Sequence, residues 1–411
     1  MTSEVLPSFE IPTAKTLFTR GAVARTLIHK IVAGVPVRLR YPDGSHVGGG
    51  AEEGPTLDVV RPASMYRRIE QHPKIGLGEA YMAGDWRAAP GTDLAQALLP
   101  FAAKMGQLLP KPLLSLRRIA DRALPAGTRN TLTGSRANIE AHYDLSNDLF
   151  AAFLDPTMSY SSALFDHTKP LAGQDLVEAQ HRKIDAILDS TAVGPGSRVL
   201  EIGTGWGELA LRAAARGADV LSITLSHEQR ALAQERIAAA GLSDRVEVRL
   251  QDYREVTGQF DAIVSVEMIE AVGEEYWPTY FGAIDNLLAP GGTAAVQAIL
   301  MDHDRYLATR NSYGWIQKYI FPGGLIPSLD AISEVTGRHT GLKVRDVRAF
   351  GGDYAETLRR WRFQFLEAWP QIEGGTFDET FKRMWEFYLA YCEAGFASGY
   401  LDVAQVTLRR D

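Results

Sequence analysis

The stretch Val199-Leu200-Glu201-Ile202-Gly203-Thr204-Gly205-Trp206-Gly207-Glu208-Leu209-Ala210 constrains the fold more than any other. An apolar, β-branched run ends in a carboxylate, passes through glycines at alternate positions, and enters a segment rich in alanine and arginine. Glycine is needed at such a turn because its backbone takes φ values that a Cβ disfavours and because a ligand lies against it. The helix that follows points its amide-rich N-terminus back at that ligand. Dinucleotide folds and plain turns share this pattern, so the turn alone fixes a strand–turn–helix unit and leaves the ligand open.

The rest of the chain supplies the sheet that such a unit needs. Strands are expected over 199–202, 219–223, 246–250, 261–265 and 293–299, with helices over 207–216, 227–240 and 276–288. Alternation of β-rich runs with helices implies a mostly parallel sheet, a doubly wound, Rossmann-like α/β domain. A helix over Leu176–Leu188 turns its apolar positions toward that sheet. Ligands of such sheets bind outside the carboxyl ends of the strands. Thr224-Leu225-Ser226, Gln251-Asp252-Tyr253, Glu267 to Glu270 and Gln297 to Ile299 are therefore the candidates.

Residues 1–100 read as a small N-terminal α+β domain, with strands at Val35–Tyr41 and Leu57–Val60 and a helix capped by Ser64. The glycine-punctuated run Ile75–Trp86 reads as a packed loop. Residues 101–136 form a basic, amphipathic linker: Lys104, Lys111, Arg117, Arg118, Arg122, Arg129 and Arg136 alternate with leucines around Pro110 and Pro112. Such a segment either lies on an anionic membrane surface or is a solvated linker. The third region, 137–411, carries the chemistry, beginning with a lid-like segment through His142-Tyr143-Asp144 and Met158-Ser159-Tyr160-Ser161-Ser162. Within Arg305–Ser328, the greasy run Trp315 to Phe321 suits the wall of an apolar channel, and helices over 356–368 and 377–394 complete helical C-terminal additions.

Composition narrows the function classes. A net charge of −7 argues against a general nucleic-acid binder, although it averages over the chain. The single cysteine, Cys392, excludes an internal disulfide and a cysteine-cluster metal site, so no metal is expected and a reducing, cytoplasmic setting fits. Cys392 has no base motif beside it and reads as a small buried residue, not a nucleophile. Met1–Lys15 lacks a signal-type apolar core, and no run of about 18 apolar residues exists, so any membrane contact is expected to be peripheral.

From about Leu57 onward the sequence strongly resembles the cyclopropane fatty acid synthase family, which includes mycolic-acid cyclopropane synthases and fatty-acid methyltransferases. The resemblance rests on Gly78-Glu79-Ala80-Tyr81-Met82, His142-Tyr143-Asp144, Glu201-Ile202-Gly203 with Gly205-Trp206-Gly207, and Tyr319-Ile320-Phe321-Pro322-Gly323. It implies a class I S-adenosylmethionine (SAM) methyltransferase acting on unsaturated phospholipid acyl chains of oleoyl type, at the inner membrane surface. The cofactor contacts it implies are Tyr160, Ser161, Gly203, Gly205, Thr224, Leu225, Ser226, Gln229, Asp252 and Tyr253, with a second acid, after the next strand, holding the ribose. Trp315, Tyr319 and Phe321 would line the acyl channel. The family also implies a possible homodimer.

Methyl transfer to an isolated alkene leaves a carbocation, which must be kept dry and then lose a proton. The family is thought to use a bound bicarbonate as base, held by glutamate, cysteine, histidine, isoleucine and tyrosine. The matching positions here are Glu270, Ser162, Gln297, Ile299 and Tyr354. Serine replaces cysteine and glutamine replaces histidine, while Glu267 stands where glycine is common and Ala271 where histidine is common. Glutamine donates a hydrogen bond but cannot titrate, so a His-centred relay is absent and Glu267 or Glu270 becomes a candidate base. Direct ring closure gives a cyclopropane; a hydride shift before proton loss gives a methylene branch. The altered stretch resembles the branch that makes 10-methylene stearoyl lipid on the way to tuberculostearic acid. The expected product is therefore a 10-methylene chain, for later reduction by a separate reductase. A small-molecule acceptor of methyl at nitrogen or oxygen is the competing enzyme reading.

Overall fold

The computed structural model describes residue 11 and residues 21–51, 53–108, 147–374 and 377–411. The chain divides into two compact units. One comprises Met1–Leu124, Asn311–Pro322 and Leu358–Tyr400; the other comprises Pro125–Arg310, Gly323–Thr357 and Leu401–Asp411. Lys111 to Arg136 of the basic segment, and His142-Tyr143-Asp144, lie outside the described residues. Among the described residues no helix is long and apolar enough to cross a membrane.

The first unit holds a four-stranded sheet in the order β2-β1-β3-β4, made of β1 (Arg38–Arg40), β2 (His46–Val47), β3 (Thr56–Val59) and β4 (Trp86–Ala88). Helix Pro62–Gln71 starts on proline, whose missing N–H costs nothing at that position, with Arg61 as its cap residue. Ser64 is thus inside the helix, and its hydroxyl donates to Asp85 at 2.8 Å. Arg61 and Arg68 also donate to Asp85, so the buried carboxylate, not a cap, explains Ser64.

The expected loop at Ile75–Trp86 is instead a helix, Gly76–Met82, leading into β4. Its glycines serve close packing: a Cβ on Gly76 would lie 2.1 Å from the Arg68 carbonyl oxygen, and one on Gly78 would lie 2.5 Å from the Trp315 ring. Helix Trp315–Tyr319 rests there, with the Trp315 indole N–H directed at Met82 sulfur. Lys318 and Tyr319 both donate to the buried carboxylate of Glu79, at 2.5 and 2.8 Å. Phe321 packs edge-on against Tyr388 of helix Glu379–Ala397.

The second unit is built on a seven-stranded sheet, ordered β10-β11-β9-β8-β5-β6-β7. Its strands are β5 (Arg198–Ile202), β6 (Asp219–Thr224), β7 (Val246–Leu250), β8 (Phe260–Val266), β9 (Leu288–Met301), β10 (Leu342–Ala349) and β11 (Leu401–Arg410). β5 to β9 are parallel, as the α/β alternation requires, while β11 runs antiparallel to both β9 and β10. Period-two alternation divides the core. Leu200, Ile202 and Ile263 face one layer with Trp277, Tyr280 and Ile284. Val199, Ala262 and Val264 face the other with Ile184, Leu209 and Ala213. Helices Leu176–Ser190, Glu208–Ala215, His227–Ala239 and Trp277–Leu287 fall where the sequence pattern places them. β6 lies on one side of β5 and β8 on the other, so their carboxyl ends frame the crevice where such folds bind ligands.

Candidate active site

The turn after β5 has the backbone its glycines foretell. Gly203, Gly205 and Gly207 take φ of +99°, +52° and +91°, and Gly207 caps helix Glu208–Ala215. Among the described residues, a Cβ on Gly203 would lie 2.7 Å from the Met268 side chain, whereas one on Gly205 would meet nothing within 4 Å. Bare backbone at Gly205 therefore borders open space. Beneath the turn, Glu201 accepts from the Ser222 hydroxyl at 2.5 Å, and Ser222 also bonds Thr204 at 2.7 Å. Burial pushes the Glu201 carboxyl up to about 8.

A cavity opens over this turn. Tyr160, Ser161, Gly203, Gly205, Thr224, Leu225, Gln229, Asp252 and Tyr253 all line it, as does Glu267. Ser226 does not; it caps helix His227–Ala239, its hydroxyl accepting from the Gln229 N–H. Thr224 donates to Gln229 Oε1 at 2.9 Å, so an amide, not an acid, follows the strand next to β5. The acid comes one strand later. Asp252 is held by Arg254 through both carboxylate oxygens at 2.8 and 2.7 Å. A glycine cradle, a helix N-terminus and flanking Thr224, Gln229 and Asp252 are the donor and acceptor set that an adenosyl sulfonium fits.

At the wall of the cavity, Glu267 takes φ +50°, a left-handed conformation uncommon for a residue with a side chain. Glycine would adopt it freely; glutamate incurs roughly 1–2 kcal/mol. The side chain offsets that strain through three donors. Oε1 accepts from the Ser162 N–H at 3.0 Å and from Gln297 Nε2 at 2.9 Å; Oε2 accepts from the Tyr354 hydroxyl at 2.6 Å. Burial raises the Glu267 pKa, and these three hydrogen bonds together with Lys183 oppose the rise. Three of the five groups that resemblance assigns to bicarbonate, Ser162, Gln297 and Tyr354, thus converge on a carboxylate belonging to the chain, while the Ile299 N–H bonds Glu270. The residues present do not fit an added anion among these donors, because the donors are taken and the charge is alike.

Glu270 stands beside this group. Its Oε1 accepts from the Ile299 N–H at 2.5 Å, and Oε2 is buried with no hydrogen-bond partner among the described residues. Burial first, then the Glu267 charge, pushes Glu270 up to about 8, so it is protonated at neutral pH. Two adjacent acids therefore stand in different surroundings: Glu267 has three donors and Lys183 opposing the effect of burial, whereas burial and the neighbouring charge both raise Glu270.

Lys183, which the sequence reading passed over, is 2% exposed and lines the same cavity. Its Nζ donates to Ser161 Oγ at 2.7 Å, and burial lowers its pKa to about 8 against the pull of Glu267, Asp155 and Glu201. A signal existed: Lys183 shares the buried face of its helix with Leu176, Gln180 and Ile187, where a lysine needs a partner. Trp315, Tyr319 and Phe321 belong to the first unit, and the described residues lining this cavity belong to the second. Cys392, expected to be buried, is half-buried, and its surroundings raise the thiol to about 12, against a role as nucleophile.

Comparison with known proteins fits this geometry. Residues 130–406 match the family model for mycolic acid cyclopropane synthetase. The chain is 50% identical over 405 residues to tuberculostearic acid methyltransferase UfaA1 of Mycobacterium tuberculosis, covering 98% of this chain and 94% of that protein. It is 37% identical over 354 residues to cyclopropane-fatty-acyl-phospholipid synthase of Escherichia coli, covering 85% and 87%. Among solved structures, the cyclopropane synthase MmaA2 from M. tuberculosis superposes with a TM-score of 0.60 at 29% identity, covering 66% of this chain and 97% of that one. The cyclopropane synthase CmaA1, solved with SAH and CTAB, gives 0.59 at 31% identity, covering 67% and 98%. The chain belongs to the mycolic acid cyclopropane synthetase family and is a SAM-dependent methyltransferase of lipid acyl chains.

Proposed function

We propose that the protein methylates the cis double bond of an oleoyl-type phospholipid chain and releases a 10-methylene branched chain. The observation that carries this reading is the Glu267 carboxylate, fixed by Ser162, Gln297 and Tyr354 at the cavity wall. Bound over the glycine turn, SAM supplies an electrophilic methyl group. Thr224, Gln229 and Asp252 are placed to orient it, and burial of the surrounding side chains excludes water from the acyl cation.

The cyclopropane and methylene routes both take a proton from the transferred methyl group; they differ in the hydride shift that precedes proton loss. In the proposed route the alkene electron pair bonds C10 to the methyl carbon as the methyl–sulfur bond breaks, S-adenosylhomocysteine would leave with that bond's electron pair, and the cation forms on C9. The C10 hydrogen moves to C9 with its electron pair, and Glu267 takes a methyl proton as the exocyclic double bond forms. A fixed carboxylate without a histidine relay supports this order, and the name of the 50%-identical relative agrees with it. Glu270, neutral at pH 7, adds no second charge that would hold the cation at C9.

We place the reaction at the inner membrane surface, with phospholipid as acceptor and a separate reductase consuming the alkene. The test is incubation with dioleoyl phospholipid vesicles and methyl-labelled SAM, followed by mass spectrometry of the released fatty acids. A labelled exocyclic methylene supports the reading. A labelled cyclopropane overturns the product assignment, and an unlabelled lipid fraction overturns the acceptor.

A further inference from the structure

The donor that Gln297 offers to Glu267 depends on which end of its amide points there, and a second glutamine decides this. Gln297 on β9 and Gln405 on β11 are directly paired across the antiparallel ladder, at 0% and 3% exposure. Gln405 Nε2 donates to the Lys183 backbone oxygen at 2.9 Å and to Gln297 Oε1 at 3.2 Å. Gln297 Nε2 then donates to Glu267 Oε1 at 2.9 Å.

Amide ends are interchangeable in shape, so a chain of two needs an outside reference to choose its direction. The Lys183 carbonyl is that reference, because a backbone oxygen only accepts. It requires the NH2 of Gln405 at its end. The other hydrogen of that NH2 meets the oxygen of Gln297, and the NH2 of Gln297 is turned toward the carboxylate.

We propose that Gln405 is a positioning residue that keeps Gln297 oriented as a donor to Glu267. The proposal rests on the reading of Glu267 as the base. It also ties the base to Lys183, whose carbonyl anchors this relay while its Nζ holds Ser161, the neighbour of the second donor, Ser162.

Gln405→Glu keeps the shape and has at most one hydrogen to give, so it satisfies the Lys183 carbonyl or the Gln297 carbonyl, never both. Gln297 then turns its NH2 toward residue 405 and its oxygen toward Glu267. Gln405→Met removes both donors and releases the orientation. The expected result for Gln405→Glu is an alkaline displacement of the acid limb of the kcat–pH profile by about one unit, with SAM affinity within about twofold of wild type. Gln405→Met moves the limb the same way by less, and decides the question if the glutamate variant does not fold. The carboxylic C=O infrared band that Glu267→Gln removes shifts its titration in parallel, in enzyme free of SAM. A wild-type limb in a folded Gln405 variant overturns the relay while an inactive Glu267→Gln leaves the base reading standing. Full activity in Glu267→Gln overturns the base reading itself.

Discussion

Glu267→Gly removes the candidate base and relieves its backbone in one change. The conformation at φ +50° suits glycine, so the main chain gains roughly 1–2 kcal/mol. Against this, the Ser162 N–H, Gln297 Nε2 and the Tyr354 hydroxyl lose their acceptor. Each buried, unsatisfied donor costs about 1–3 kcal/mol unless water or an anion replaces the carboxylate. The expected outcome is a folded variant whose turnover falls by about 10²- to 10⁴-fold, the range for loss of a general base. The vacated site keeps three converging donors, so bicarbonate, acetate or formate restores activity in a saturable way. The assay is turnover on dioleoyl phospholipid vesicles across anion concentration, with chloride as control. Undiminished turnover without added anion would refute the reasoning, as would a folded, SAM-binding variant that no small carboxylate rescues.

Other expectations follow from the same geometry. Glu201 holds its proton in the fold up to about 8, well above the model-peptide value, so the folded state binds more protons between these values. Wild-type stability therefore falls as pH rises through that window, and the Tm advantage of Glu201→Gln should grow from pH 5 to pH 8 in thermal melts; a constant difference would contradict the assignment. Gly203→Ala should destabilise the protein more than Gly205→Ala, since only the first Cβ strikes Met268, whereas Gly205→Ala should weaken SAM binding in calorimetry. Glu270→Gln, which mimics the protonated carboxyl, should retain turnover on labelled vesicles within about tenfold and leave SAM affinity near normal; abolished turnover would mean that Glu270 works as a carboxylate. Replacing Arg117, Arg118 and Arg122 by glutamine should weaken sedimentation with anionic vesicles, most strongly at low salt.

The parallel strands and the glycine turn were legible because each β-branched run ends in residues that a buried strand cannot keep inside. β10 and β11 were not, because they follow helical stretches and run antiparallel at one side of the sheet. Buried polar residues interrupt β11: Gln405 and Thr407 sit among Val403, Ala404, Val406 and Leu408. The glycines of Gly76–Met82 suggested a turn, although they answer to the closeness of Arg68 and Trp315, which lie elsewhere in sequence. The site was readable residue by residue and not as an arrangement. Ser162, Gln297 and Tyr354 could be chosen as anion ligands, but that all three bond the Glu267 carboxylate is visible only in the fold. Gln405 was missed because its partners Lys183 and Gln297 lie 222 and 108 residues away in sequence, and Lys183 because its partner Ser161 sits in an irregular segment whose path no pattern shows.

The central claim is that the acyl cation undergoes a hydride shift before Glu267 takes the proton. The direct measurement uses a phospholipid whose oleoyl chain carries deuterium at both C9 and C10, converted by the enzyme and read by NMR and fragment mass spectrometry. The account predicts a methylene product with both deuterons on one carbon, next to the branch. One deuteron on each of two ring carbons, in a cyclopropane, would contradict it.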